Sequence, residues 1–223
     1  MHMCDKSTGL NKSRSLWAII FVATLFSVTG NAQPKGFRPV ADLPTFKKQF
    51  ATQSAKVSSI ESSFTQEKVL TALTEKISST GKFWFKRSNK VRIEYTKPYT
   101  YTMIMNGDKL LLRDDQKENR INVRSNKLFQ QINQIMIDCV QGTVLDSKDF
   151  NVEVFEDERT YLLEMVPTSR SLREFFSTIV LKVDKNDFTA ASIEMNEKSG
   201  DSTAILFKDK KLNTQFSDAV FAF

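Results

Sequence analysis

The chain is poor in the residue types that most often carry catalysis and metal binding. Its 223 residues include one histidine, two cysteines, seven glycines and five prolines. His2 and Cys4 lie in the first 32 residues, which we interpret below as a removable signal. Residues 33–223 then hold no histidine and a single cysteine, Cys139. These absences exclude a Ser-His-Asp triad, a histidine metal site, a Cys-His nucleophile and an intrachain disulfide in the exported chain.

Phosphate-binding glycine loops and long runs of one charge are also missing. Five glycines remain in residues 33–223 and none are clustered. The acidic residues fall in turns, where exposure to solvent accounts for them without a metal-binding or acid/base role. Basic residues outnumber acidic ones by only 29 to 25 over the same range, and the two are interspersed. Such a small excess argues against nucleic acid as a partner. We therefore predict a protein that is not an enzyme, that needs no cofactor or metal, and that binds no nucleic acid.

The first 32 residues have the pattern of a secretory signal. Three positive charges fall within residues 6–14, and the thirteen residues 16–28 are uncharged. Gly30 and Ala32 supply small side chains before a cleavage point at residue 32. The apolar run is shorter than the roughly 20 residues that a membrane-spanning helix requires. We expect a cleaved signal and an exported, soluble chain; an uncleaved anchor is the alternative.

Two segments have apolar residues at helical spacing. One covers residues 43–57 after Asp42, a candidate N-cap, and the other covers residues 126–142, ending at Gly142, a candidate C-cap. Residues 33–41, before the first helix, predict a flexible leader. Two helices are too few for a bundle, so we expect both to cover a sheet. Their apolar stripes are Leu43, Phe46, Phe50 and Val57 in the first, and Leu128, Ile132, Ile135, Met136 and Cys139 in the second.

Strand patterns with a period of two fill the rest of the chain. Five or six strands are predicted over residues 59–124, with a hairpin at Asn106-Gly107. Further strand patterns cover residues 150–155, 160–166, 178–184, 190–196, 202–208 and 216–223. About eleven strands with short connections favour an antiparallel sheet that curls into a barrel or an open half-barrel. The predicted fold class is mainly β (α+β), as one domain over residues 42–223.

Aromatic and methionine side chains concentrate on one face of the predicted strands. Phe83-Trp84-Phe85 places bulk on both faces of one strand, and a run of alternating apolar residues follows. Methionine and tyrosine together make an adaptable wall suited to an apolar ligand, whereas a filled core is the other interpretation. The sequence leaves both open, and it also leaves open whether Cys139 is buried or pairs with another molecule. The alternating face consists of Val91, Ile93, Tyr95, Tyr99, Tyr101, Met103 and Met105.

Four short motifs follow one another between residues 64 and 110. They are Phe64-Thr65-Gln66, Gly81-Lys82-Phe83-Trp84-Phe85-Lys86-Arg87-Ser88-Asn89, Tyr95-Thr96-Lys97-Pro98 and Asn106-Gly107-Asp108-Lys109-Leu110. Their order and spacing resemble the LolA family, the periplasmic carriers of outer-membrane lipoproteins. The resemblance extends over residues 42–223, since Phe221-Ala222-Phe223 is similar to the family's closing strand. Two departures are Ser88, where the family has proline, and a chain that stops at Phe223 without the extension of some members.

The resemblance implies an incomplete antiparallel barrel of eleven strands, apolar inside and covered by a helical lid. It implies a monomer that receives lipoprotein acyl chains from an inner-membrane ABC transporter in the periplasm and passes them to an outer-membrane acceptor. Arg87 matches an arginine that hydrogen-bonds lid carbonyls and couples closure to the ligand. The predicted cavity lining is Phe64, Phe83, Phe85, Val91, Ile93, Tyr95, Tyr101, Met103 and Met105. The predicted lid residues are Phe46, Phe50, Leu128, Ile132, Ile135 and Met136. For the four residues of the second helix, ordinary packing of a helix on a sheet is the alternative.

Other functions compete with this interpretation. The same fold could carry a different amphiphile, such as a glycolipid or a pigment precursor, or could act as a lipid sensor. The terminal Phe223 after alternating residues would suit an integral outer-membrane barrel, but the candidate strands carry charges on both faces. An enzyme is disfavoured because no constellation of side chains supports a reaction.

Overall fold

A computed structural model describes residues 33–223 except Thr74, Ser88 and Asn126, and it leaves the side chains of Ser125 and residues 127–129 undescribed. The predicted signal and the departure at Ser88 therefore lie outside the described residues. The strands are β1 (Arg38–Pro39), β2 (Ser59–Leu70), β3 (Glu75–Lys86), β4 (Lys90–Lys97), β5 (Tyr101–Asn106), β6 (Lys109–Asp114), β7 (Glu118–Asn122), β8 (Phe150–Glu156), β9 (Thr160–Pro167), β10 (Phe176–Asp184), β11 (Ala190–Glu197) and β12 (Ser202–Leu212). The helices are α1 (Leu43–Ser54), α2 (Lys127–Gln141) and the single turn α3 (Arg170–Arg173).

All twelve strands join one antiparallel sheet with the order β1-β8-β9-β10-β11-β12-β2-β3-β4-β5-β6-β7. The pairing of β12 with β2 joins the late strands to the early ones, so both halves of the chain build one curved surface. In the described part of the chain, β1 and β7 do not pair with each other, and the sheet is not closed. The predicted open antiparallel barrel is therefore confirmed, with one short strand more than expected.

The two predicted helices form where the sequence places them. Asp42 caps α1, because its carboxylate accepts the Thr45 backbone N–H at 3.0 Å. Gly142 ends α2 with a positive φ of 72°. A Cβ at this glycine would lie 2.7 Å from the Phe50 carbonyl oxygen, so only glycine lets the end of α2 lie against α1. The hairpin at Asn106-Gly107 also forms, as Asn106 pairs with Lys109 across a two-residue turn.

Part of the predicted leader belongs to the sheet. Arg38 and Pro39 pair with Glu156 and Phe155 of β8, and the Val40 N–H donates to the Val154 carbonyl at 3.1 Å. The sequence predicts a flexible leader over residues 33–41, and this prediction is wrong at residues 38–40. The pairing partner lies more than a hundred residues away, where no local pattern could point to it.

The expected closing strand at the C-terminus is wrong. Asp218–Phe221 forms a 3₁₀ turn, which Ser217 caps by accepting the Ala219 N–H at 3.2 Å. Asp218 pairs with Lys86 and Lys90, and these lysines lower the pKa of its carboxyl to about 2. Phe221 is fully buried against residues of the outer face of the sheet. Burial of the Phe221 ring therefore stabilises the 3₁₀ turn in place of the predicted closing strand.

Candidate functional site

A cavity of about 280 Å³ lies between α2 and the concave face of the sheet. Strands from both halves of the chain supply its walls, and α2 supplies its cover. Nearly all of the lining is apolar. The residues are Ile60, Ser62, Phe64, Gln66, Phe83, Phe85, Val91, Ile93, Tyr95, Ile132, Ile135, Met136, Cys139, Val140, Phe176, Ile179, Leu181, Thr189, Ala190, Ile193, Met195, Ile205, Phe207 and Lys210.

One wall depends on a close approach of β2, β3 and β4. Phe64 lies opposite Gly81 in the β2–β3 ladder, and its ring occupies the space that a side chain on that glycine would need. A Cβ on Gly81 would come within 2.1 Å of the Glu94 carbonyl oxygen. The Tyr95 ring meets the Phe64 ring edge-on, with centroids 5.1 Å apart. Glycine in the 81–89 motif thus has a steric role, which is to let two aromatic rings form the wall.

The α2 helix covers the cavity with one apolar stripe. Ile132, Ile135 and Met136 of the predicted lid residues line the cavity, while the Leu128 side chain lies outside the described part of the structure. Cys139 also lines the cavity, and burial, with a smaller effect from the Asp138 charge, raises the pKa of its thiol to about 12. A thiol with such a pKa stays protonated and behaves as a small apolar group.

Six of the nine predicted lining residues line the cavity, and three do not. Met105 is only 2% exposed and packs with Leu110 and Val123 in a filled cluster under the other end of the concave face. Met103 packs against the same cluster, and Tyr101 lies beside Tyr95 with ring centroids 6.0 Å apart. These three residues therefore lie outside the cavity, and for Met103 and Met105 the packing of this cluster accounts for it.

The two predicted lid residues of α1 lie beside the cavity and are not part of its lining. Phe46 and Phe50 are buried, with ring centroids 5.6 Å apart, in a cluster that contains Leu163 and Leu172. The Phe46 ring packs on Tyr161 of β9 at 4.4 Å. Neither ring lines the cavity, since α1 packs toward β9 and β10.

Arg87 binds the backbone at the end of α1. Its Nε donates to the Val57 carbonyl at 2.7 Å and its Nη2 to the Ser54 carbonyl at 2.6 Å. A cation at this position also faces the negative end of the helix dipole. The end of α1 in turn contacts Gly142, which ends α2. Arg87 therefore fixes the segment on which α2 rests.

A few polar groups interrupt the apolar lining. The Tyr95 hydroxyl donates to Gln66 Oε1 at 2.8 Å, and burial raises the pKa of this tyrosine. Lys210 Nζ lies 2.9 Å from Asp187 Oδ2 and donates to Thr189 Oγ1 at 2.7 Å. Ser62 Oγ is buried, and among the described residues it has no hydrogen-bond partner.

The walls from β10, β11 and β12 were missed by the sequence interpretation. Ile179 and Leu181 of β10 line the cavity, and so do Ile193 and Met195 of β11. In each strand the two residues are separated by one residue that points to the other face. This alternation is visible in the sequence and could have identified them. The inward position of Lys210 could not have been found in this way, because an irregularity in β12 precedes it.

An open antiparallel sheet that curves around an apolar cavity under a helix defines a ligand-binding fold. The chain belongs to the LolA family, since the family model described as outer membrane lipoprotein carrier protein LolA matches residues 55–223. Two relatives are each named outer-membrane lipoprotein carrier protein. The one from Methylococcus capsulatus is 25% identical over 74% of this chain and 76% of its own. The one from Methylibium petroleiphilum is 27% identical over 76% of this chain and 80% of its own.

Solved structures with a similar fold are more distant in sequence. A LolA superfamily protein from Nitrosomonas europaea is 14% identical with a TM-score of 0.43, over 79% of this chain and 97% of that chain. A MucA/MucB complex structure from Pseudomonas aeruginosa matches at 11% identity and a TM-score of 0.47, over 80% of this chain and 60% of that chain.

Residues 33–223, apart from the undescribed positions, lack the features of two other kinds of site. No described helix is both long and apolar enough to cross a membrane. In the same part of the chain, no three His, Cys, Asp or Glu side chains are grouped so that they could hold a metal ion.

Proposed function

We propose that this protein is a periplasmic carrier that shelters the acyl chains of lipoproteins in the cavity between α2 and the sheet. It receives them from an inner-membrane ABC transporter and passes them to an outer-membrane acceptor. The observation that carries the proposal is an apolar cavity covered by one amphipathic helix, in a chain of the LolA family. The names of the two relatives agree with this role.

The energetics of such a carrier demand both an apolar cavity and a cover. A chain of about sixteen carbons gains more than ~10 kcal/mol on leaving water, at about 0.8 kcal/mol for each methylene. A carrier that retained the whole gain would not release its cargo. Closure of α2 over the empty cavity offsets part of the free energy gained on binding. Opening the cavity costs free energy, which is recovered when the cargo leaves and α2 closes again.

The size of the cavity fits a closed state. Its 280 Å³ lies just below the range of about 300–1,000 Å³ that is usual for small-ligand sites. Binding of more than one acyl chain therefore requires α2 to move away from the sheet. Arg87 suits the control of that step, since it holds the end of α1 against which α2 ends.

The proposal is tested by incubating the mature protein with spheroplasts and measuring newly made lipoproteins in the soluble fraction. Met136→Glu places a charge in the cavity wall and is expected to abolish their appearance. Gln134→Glu, on the exposed face of the same helix, is the matched control and should release lipoproteins as the wild type does. A wild-type protein that leaves all lipoproteins on the membrane would overturn the proposal.

A further inference from the structure

An irregularity in β12 directs a lysine into the apolar cavity. Lys208 pairs with Ser63 and Lys211 with Glu61, so two residues of β12 lie opposite the single residue Ser62 of β2. The first of the two, Asp209, has a positive φ of 51°. Such a β-bulge reverses the alternation of the strand and turns the following side chain to the other face. As a result, Lys210 and Ser62 both line the cavity at the same level of neighbouring strands.

The bulge is held by its own hydrogen bonds. Ser63 Oγ donates to Asp209 Oδ2 at 2.8 Å, on the outer side of the sheet. A non-glycine residue with positive φ costs free energy, which the surrounding contacts must supply. The strand thus contains a strained position whose effect is to place Lys210 inside the cavity.

The two residues offer hydrogen-bond donors to the cavity. An ammonium group has three N–H donors, and Asp187 and Thr189 account for two of those on Lys210. Ser62 is 3% exposed, and its hydroxyl has no partner among the described residues. A buried hydroxyl without a partner costs free energy, which a ligand atom accepting its hydrogen bond would recover.

The geometry points to a polar subsite in which Ser62 and Lys210 bind the ester carbonyl oxygen of an acyl ligand. Asp187 already neutralises the lysine charge at 2.9 Å, so the subsite offers donors without a net positive charge. A carboxylate would meet the like charge of Asp187, whereas a neutral carbonyl oxygen would not. This inference rests on the proposed function, because it assigns an anchor point to the acyl chains that the cavity shelters.

The experiment compares two probes of equal chain length, methyl dodecanoate and tetradecane, with the mature protein. Each is titrated against a bound fluorescent naphthylamine probe, and displacement gives its affinity. Wild-type protein is expected to bind the ester about tenfold more tightly, the value of one hydrogen bond to a charged donor. Dodecanoate is the third ligand and is expected to bind more weakly than its methyl ester.

Three variants assign the preference to the subsite. Ser62→Ala is expected to reduce ester affinity about fivefold and to leave tetradecane affinity unchanged. The pair Lys210→Met with Asp187→Asn removes the lysine without leaving its partner charged, and should remove the remaining preference. Lys210→Arg keeps the donors and should retain the preference. The infrared carbonyl band of bound ester should lie at lower frequency in wild-type protein than in Ser62→Ala, which a merely structural serine would not cause.

The outcomes separate this inference from the proposed function. Equal binding of ester and alkane by the wild type overturns the subsite and leaves the carrier proposal standing. An ester preference that survives both Ser62→Ala and the pair Lys210→Met with Asp187→Asn does the same. Tighter binding of dodecanoate than of its ester overturns the assignment to a neutral carbonyl. Failure of all three ligands to displace the probe overturns the subsite together with the acyl-binding function.

Discussion

The concave face of the sheet has two ends that are alike in composition and different in packing. At one end, which we call the filled end, Met105, Leu110 and Val123 are at most 3% exposed and pack in one cluster. At the other, which we call the hollow end, Ala190, Ile193 and Met195 are half-buried and border the cavity. Apolar alternation creates both ends. The difference shows that hydrophobicity selects the face, whereas the shapes of opposing side chains decide whether the space is filled.

The largest expected contrast comes from shortening one side chain at each end. Leu110→Ala should lower the free energy of unfolding by about 3 kcal/mol, because it leaves a new cavity in a packed cluster. Ile193→Ala should cost only about 1 kcal/mol, since its side chain already borders open space. Urea unfolding of both variants measures the difference. Equal losses would show that the two ends are packed alike.

Enlarging a side chain should impair stability at the filled end and ligand binding at the hollow end. Val123→Phe overfills the filled end and should cost about 2 kcal/mol, whereas Ala190→Phe has space before it and should cost less than about 1 kcal/mol. Only Ala190→Phe should block displacement of the fluorescent probe by methyl dodecanoate, because only it occupies the cavity. The comparison fails if Val123→Phe blocks binding while its fold remains intact.

Arg87 lies outside both ends and is expected to govern how the hollow end opens. Arg87→Leu removes two hydrogen bonds to the end of α1 and should cost about 1.5 kcal/mol. Amide exchange at residues 55–58 should become faster, and transfer of cargo to the acceptor should become slower. Arg113→Leu is the control, because it removes an exposed ion pair with Glu118. Transfer at the normal rate in Arg87→Leu would refute the coupling role.

The smallest effect concerns the single cysteine of residues 33–223, at the hollow end. The pKa of the Cys139 thiol is raised from 9.0 to about 12, so the reactive thiolate is scarcer in the folded chain than in the unfolded one at pH 8. Alkylation by iodoacetamide should therefore be slow in native protein and fast in urea. Above pH 9 the unfolded chain loses this proton first, so stability should fall with rising pH. Equal alkylation rates would place the thiol in solvent.

Local patterns in the sequence predict most of the fold. Period-two alternation identifies the strands, and capping residues such as Asp42 and Gly142 identify the ends of the helices. Two features depend on distant partners and were therefore missed. Arg38–Pro39 pairs with β8, and Phe221 is buried on the outer face by a turn instead of extending the sheet.

The site was predicted in part for a related reason. Alternation places Val91, Ile93 and Met105 on one face, but only the packed structure separates the two that line the cavity from the one that does not. The position of Lys210 follows from a bulge, which shifts the alternation by one residue and so hides the lysine from any periodic pattern. Alternation of residue types predicts which face of the sheet a side chain points to while the strand is regular. The prediction fails after a bulge.

The two unpaired borders of the sheet have a mechanical consequence. In a closed barrel the ring of hydrogen bonds fixes the circumference, and the interior volume is fixed with it. Here β1 contains Pro39 and β7 carries Glu118 and Arg120, residues that discourage pairing with a further strand. The curvature can therefore relax or tighten while every ladder in the described sheet stays intact. We expect bending of the open sheet to add to the movement of α2 in changing the volume of the cavity, since no strand pairing has to break.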